Sequence, residues 1–159
     1  MHAAMPRRPL LLPHRHRGVV AVEFALAFVA FLPFLLGAFE LARFAYLRNI
    51  ALEASRVGAR VVAMCDPSAA TDTLAITRMR TLLPQLPDGS SSYVTIKRVK
   101  SDLATTCSSN ADCAYVSVSI NALPIETVIP LVSVVLSLPT VSTTMPREYM
   151  VSAGNSVCN

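Results

Sequence analysis

Past residue 16 this sequence holds no histidine: all three, His2, His14 and His16, sit at its start. That removes the imidazole base which serine and cysteine nucleophiles use, so no Ser/His/Asp or Cys/His set can form in the body of the chain. The carboxylates Asp102, Asp112, Glu126 and Glu148 remain, but no motif joins any two of them as an acid/base pair, and the expectation is that the protein is not an enzyme. There is no C-x-x-C either, and with histidine confined to the start neither a metal site nor a cofactor is expected. Charge is scarce at 15% of residues, and the net charge of +4 comes largely from Arg7, Arg8, Arg15 and Arg17. Beyond residue 18 the chain is close to neutral. No stripe of lysine and arginine alternates with aromatics, which argues against a nucleic-acid partner. The one dense basic pair after the apolar run, Lys97-Arg98, reads as the solvated face or edge of a strand.

What the sequence does have is an apolar run from Val19 to Phe39, interrupted by one carboxylate, Glu23, with no acid anywhere before it. About 20 apolar residues span a bilayer as a helix. A secretory signal would need an apolar core of only about 7–15 residues, so the run is too long for one. A charge inside a span costs roughly 2.5–3.5 kcal/mol on insertion scales, which makes Glu23 a functional residue by default and one in need of a partner. The nearest basic residue before it is Arg17. The next after it, Arg43, lies more than five turns on at about 3.6 residues per turn. Pro33 falls within the run and should remove one helical hydrogen bond, which spans tolerate when neighbours satisfy the freed carbonyl. The arginines ahead of the run should hold the N-terminus in the cytoplasm and send residues from about 40 outward, against which stand Arg43, Arg48, Arg56 and Arg60.

The helical pattern continues past the run. Phe44, Leu47, Ala51, Ala54, Gly58 and Val61 recur at steps of three and four, and Glu40/Arg43 and Glu53/Arg56 are i,i+3 pairs, so one helix is expected from about 19 to 63. The small residues Ala51, Ala54 and Gly58 form a stripe that lets another backbone approach, the chain's own sheet before a second subunit. A short helix from Thr71 to Leu83, ended by Pro84, precedes the turn Pro87-Asp88-Gly89-Ser90-Ser91. Strands are expected at 93–99, at 114–120, where apolar and polar residues alternate strictly, and at about 134–143. The apolar stretch 122–138 contains two prolines, Glu126 and many β-branched residues. It reads as a loop or short helix that rests on the membrane surface or on a partner, not as a second span. The fold class is therefore α+β, a long N-terminal helix with a head of one short helix and about three antiparallel strands. The domains are a basic leader at 1–18, a transmembrane segment at 19–39, a helical extension at 40–64 and a head at 65–159. Four cysteines, Cys65, Cys107, Cys113 and Cys158, all follow the span, where an oxidising compartment would pair them. Three pairings exist. The spacing favours Cys107–Cys113 around a short polar loop, leaving Cys65–Cys158 to tie the helix end to the C-terminus.

Arg17-Gly18-Val19-Val20-Ala21-Val22-Glu23-Phe24-Ala25-Leu26, then Leu32-Pro33-Phe34-Leu35-Leu36-Gly37, Glu40-Leu41-Ala42-Arg43 and Ala54-Ser55-Arg56-Val57-Gly58-Ala59-Arg60 resemble the TadE-like family. Its members are minor pilins, or pseudopilins, of the bacterial tight-adherence (Flp, type IV) pilus machinery. The resemblance covers about residues 17–60. It implies that a prepilin peptidase cuts after Gly18 on the cytoplasmic side, that Val19 becomes the new N-terminus, and that Glu23, then the fifth residue, meets the α-amine of a neighbouring subunit. Pro33, Gly37, Ala51, Ala54 and Gly58 would serve helix packing. The implied partners are other pilin or pseudopilin subunits, the inner-membrane assembly platform, the peptidase and the lipid bilayer. The implied location is the inner membrane with a periplasmic head, or the extracellular fibre. The sequence departs from the family in two places. Val19 stands where many members have a small residue, and Phe24 stands where the major pilin has tyrosine, which fits a minor pilin. The alternative is a signal-anchored scaffold of the same machinery that never enters a fibre.

Overall fold

A computed structural model describes residues 17–87, 92–107, 111–129, 133–148 and 151–158. The leader up to residue 16 and most of the turn at 87–91 lie outside the described residues. The chain divides into two compact units, residues 1–38 and 39–159.

In the first unit the described chain is helix throughout. It is the opening part of α1 (Arg17–Met64), which continues through Pro33. Nearly every side chain in it is exposed, the phenylalanines Phe24, Phe28, Phe31 and Phe34 included. α1 is the one helix among the described residues long and apolar enough to cross a membrane.

In the second unit the rest of α1 turns Leu47, Ala51, Ala54, Val61 and Val62 into a core. Cys65-Asp66-Pro67 ends the helix, because proline disfavours helical backbone in the residue before it. α2 (Ala69–Leu82) follows at once. Its N-cap is Ser68, whose hydroxyl accepts from the Thr71 amide, satisfying a donor that the first turn leaves free. Then come β1 (Val94–Val99), β2 (Tyr115–Ile120), β3 (Pro124–Glu126), β4 (Val135–Ser137) and β5 (Val141–Pro146). β1, β2 and β5 form an antiparallel sheet with β2 in the middle. Along β2 the strict alternation shows in burial: Val116, Val118 and Ile120 are buried, and the residues between them are half-buried. Register places Val94, Ile96 and Arg98 of β1 and Val141, Thr143 and Met145 of β5 beside those three residues, so all nine share the inner face. The α+β class expected from the sequence is the one observed.

Three local expectations change. The last expected strand, 134–143, is two strands in different sheets. Pro139 has no amide hydrogen for a ladder, and the chain leaves β4, which pairs with β3, before starting β5 on the main sheet. The stretch 122–138, expected as a loop or short helix, forms the β3–β4 hairpin, with Ile125 opposite Leu136. The third change concerns Arg98. Lys97 is solvated, but Arg98 points inward and binds Asp72 of α2 at 2.5 Å, its side chain only 16% exposed.

Candidate functional site

The residues singled out by the sequence for chemistry fall at the start of α1. Helical spacing puts Glu23 one turn beyond Val19 and Val22 one turn beyond Gly18. Gly18, Val19, Val22, Glu23 and Leu26 together line one shallow concavity along the helix surface. Val19 and Phe24 are 65% and 69% exposed. The Phe24 ring stacks on Phe28, one turn on, with centroids 6.0 Å apart. A Cβ built on Gly18 would meet nothing within 4 Å. No contact with the described residues therefore requires glycine there. Glu23 is exposed, and among the described residues nothing bonds its carboxylate.

Four other carboxylates contrast with it. Glu40 accepts from Arg43 Nη1 at 2.6 Å through Oε1, and its Oε2 accepts from the Val128 amide at 3.4 Å. Glu53 pairs with Arg56 at 3.4 Å, and Asp72 with Arg98. Asp102 accepts from the Thr105 hydroxyl and from the amides of Thr105 and Ala104, and the hydroxyl bond first, then the two amide bonds, hold its pKa below the ordinary aspartate value. Each of these acids has a local structural partner. Glu23 has none among the described residues, and it lies where an unpaired charge is least tolerable if the helix is in lipid.

The expected packing residues separate by unit. Pro33 and Gly37 are exposed in the first unit, and a Cβ at Gly37 would also meet nothing. Ala51, Ala54 and Gly58 are buried in the second unit's core, and a Cβ on Gly58 would stand 2.5 Å from Met79 Sδ and 3.4 Å from Val118 Cγ1. That stripe therefore serves the head's own packing. The cysteines form two disulfides, Cys65–Cys158 and Cys107–Cys113.

Sequence reasoning missed three polar links. Ser55, fully buried, donates to the Leu52 carbonyl at 2.7 Å and lies 2.6 Å from Thr143 Oγ1. Because the serine proton is committed to Leu52, Thr143 is the donor of that second bond. Arg98 joins Asp72 across the fold. Arg43 donates to the Glu126 carbonyl at 3.0 Å. Each depends on a partner 26 or more residues away, which no periodicity encodes. The one usable signal was a serine standing in a stripe of small buried residues.

Residues 18–60 match the model of a protein family described as TadE-like protein. The match takes in the Gly18–Glu23 segment and runs down α1 to Arg60. No curated protein and no solved structure matches the chain.

Proposed function

We propose that this chain is a minor pilin, or pseudopilin, of a tight-adherence (Flp) type IV pilus system, made as a precursor and cut by prepilin peptidase between Gly18 and Val19. The observation that carries the reading is the unpartnered carboxylate of Glu23, one helical turn from an exposed glycyl peptide bond. The family match over the same residues supports it. Hydrolysis of that bond adds water across it, leaving a carboxylate on Gly18 and an α-ammonium on Val19. The ammonium of one subunit then faces Glu23 of a neighbour in the fibre. In a low-dielectric surround an ion pair of this kind is strongly favoured over either charge left alone. Such a pair fixes the axial register of adjacent helices, and it relieves on assembly the cost of an unpaired Glu23.

On this reading residues 19–39 cross the inner membrane once, the N-terminus is cytoplasmic, and the disulfide-bearing head lies in the periplasm or on the fibre. The assembly platform and other pilin subunits act on α1. The test is intact mass and N-terminal sequencing of membrane-extracted protein from cells with and without the peptidase. A chain starting at Val19 only when the peptidase is present supports the pathway. A chain that keeps Met1 in both overturns it in favour of a signal-anchored scaffold. Glu23→Ala and Glu23→Gln should both be cut normally yet be lost from sheared fibres, while remaining in the membrane fraction. Incorporation at the wild-type level would refute the role given to the carboxylate.

A further inference from the structure

Between Asp112 and Arg147 the sequence carries a single charged residue, Glu126, and that charge-poor stretch includes the β3–β4 hairpin. Leu123, Ile125 and Leu138 are buried in the head's core, whereas Val128, Val134, Val135 and Leu136 stand 69%, 46%, 62% and 37% exposed. So many exposed aliphatic side chains on one short element mark a contact surface.

Where the hairpin is tied indicates what covers it. Arg43 bridges the Glu40 carboxylate and the Glu126 carbonyl, and the Val128 amide reaches the other Glu40 oxygen. Glu40 directly follows Phe39, the last residue of the apolar run. Chain connectivity therefore keeps the hairpin residues bonded to the Glu40 and Arg43 side chains, Glu126 and Val128, within about two helical turns, roughly 11 Å, of that boundary.

We propose that the β3–β4 hairpin is a membrane-surface foot, with Val128, Val134, Val135 and Leu136 seated at the headgroup–acyl boundary of the bilayer that α1 crosses. The inference rests on the reading of residues 19–39 as a span. Aliphatic side chains at that depth leave water for the acyl boundary. The Glu40–Arg43 pair is neutral as a unit, and the hairpin backbone supplies further hydrogen bonds to both partners, which suits it to the same interface. The hairpin's own charge is a single carboxylate, so apolar contact holds it and anionic lipid is not required.

The chain contains no tryptophan, so one introduced tryptophan reports without background. Full-length Val135→Trp and, as a second site, Val128→Trp are placed in nanodiscs of phosphatidylcholine and phosphatidylglycerol, with and without lipids brominated on the acyl chains. Phe31→Trp reports the span itself, and Thr77→Trp reports the solvated side of α2. The expected result is blue-shifted emission, quenched by brominated lipid, for both hairpin variants and for Phe31→Trp. Thr77→Trp should be unquenched, and raising the phosphatidylglycerol fraction should change nothing. Quenching at Phe31→Trp with none at Val135→Trp or Val128→Trp overturns the foot and leaves the span standing. A blue shift without quenching at the hairpin means that protein and not lipid covers it, which also overturns the proposal. No quenching at Phe31→Trp overturns the span and the foot together.

Discussion

Gly58 and Gly18 belong to the same helix and answer different demands. At Gly58 an alanine methyl would stand 2.5 Å from Met79 Sδ and 2.9 Å from its Cγ, and Met79 is itself fully buried. Alanine gains about 1 kcal/mol of helix propensity over glycine, but overpacking a core costs about 1–3 kcal/mol. The thioether must move into occupied space, so the clash wins. Gly58→Ala should lower stability by about 1 kcal/mol and Gly58→Val by about 2–3 kcal/mol, read from thermal unfolding of the full chain in detergent. Among the described residues Gly18 has open space around it, and its role in the proposed function is recognition by the peptidase. Asp102 offers a pH test. The Thr105 hydroxyl and two backbone amides favour its ionised form, so its folded pKa lies below the unfolded one. The stability it adds to the 100–105 turn is present above the unfolded pKa and is lost as pH falls through the lower, folded value. A carbon-13 NMR titration should place the Asp102 midpoint below that of an ordinary aspartate, and Thr105→Val should raise it.

Elements in the head are joined by a few polar links laid over apolar packing. α2 and β1 meet through Asp72 and Arg98, whose guanidinium is largely buried while the carboxylate is about one-third exposed. Removing the acid strands a cation whose Nε already has no partner. Breaking a fully buried pair costs about 3–5 kcal/mol. Solvent screening at Asp72 reduces that, so Asp72→Ala should cost about 1–2 kcal/mol in urea unfolding. Asp72→Ala combined with Arg98→Met should recover most of it, because the buried charge goes as well. The helices and the central strand could be read from spacing, since period 3.6 and period 2 are local properties of the chain. The inward turn of Arg98 could not. In Lys97-Arg98 both residues are cations, and which one faces the helices is set by the register of β1 against β2 and by the acid waiting on α2. The division of 134–143 into β4 and β5 was hidden for the same reason. Both pieces are β-branched and apolar, and their partners, β3 and β2, decide the sheet each one joins.

At the scale of the molecule, the last residues close the head. The amides of Glu148 and Val151 bond the Ala63 and Met64 carbonyls at the end of α1, and the Ser152 amide reaches the Asp66 carboxylate. These donors satisfy carbonyls that the helix end leaves free. Cys65–Cys158 locks the arrangement across 93 residues, whereas Cys107–Cys113 closes only 6. By loop-closure entropy the long crosslink contributes about 4–5 kcal/mol and the short one about 2 kcal/mol. Replacing Cys65 and Cys158 together by serine should therefore lower the melting temperature of the full chain about twice as far as replacing Cys107 and Cys113. Comparable shifts would mean that the long crosslink acts through strain or residual structure instead of chain entropy. Sequence alone determined the apolar run, the lone carboxylate in it, the continuous helix and the antiparallel α+β class, because hydrophobic periodicity, run length and turn chemistry are written within a few residues of one another. Tertiary structure alone decided which face of α1 the head covers, that Ser55 and Thr143 bond, that the hairpin hangs on Glu40 and Arg43, and which cation turns inward. Those outcomes depend on contacts between residues 26 to 88 positions apart, and only the packed chain brings such residues together.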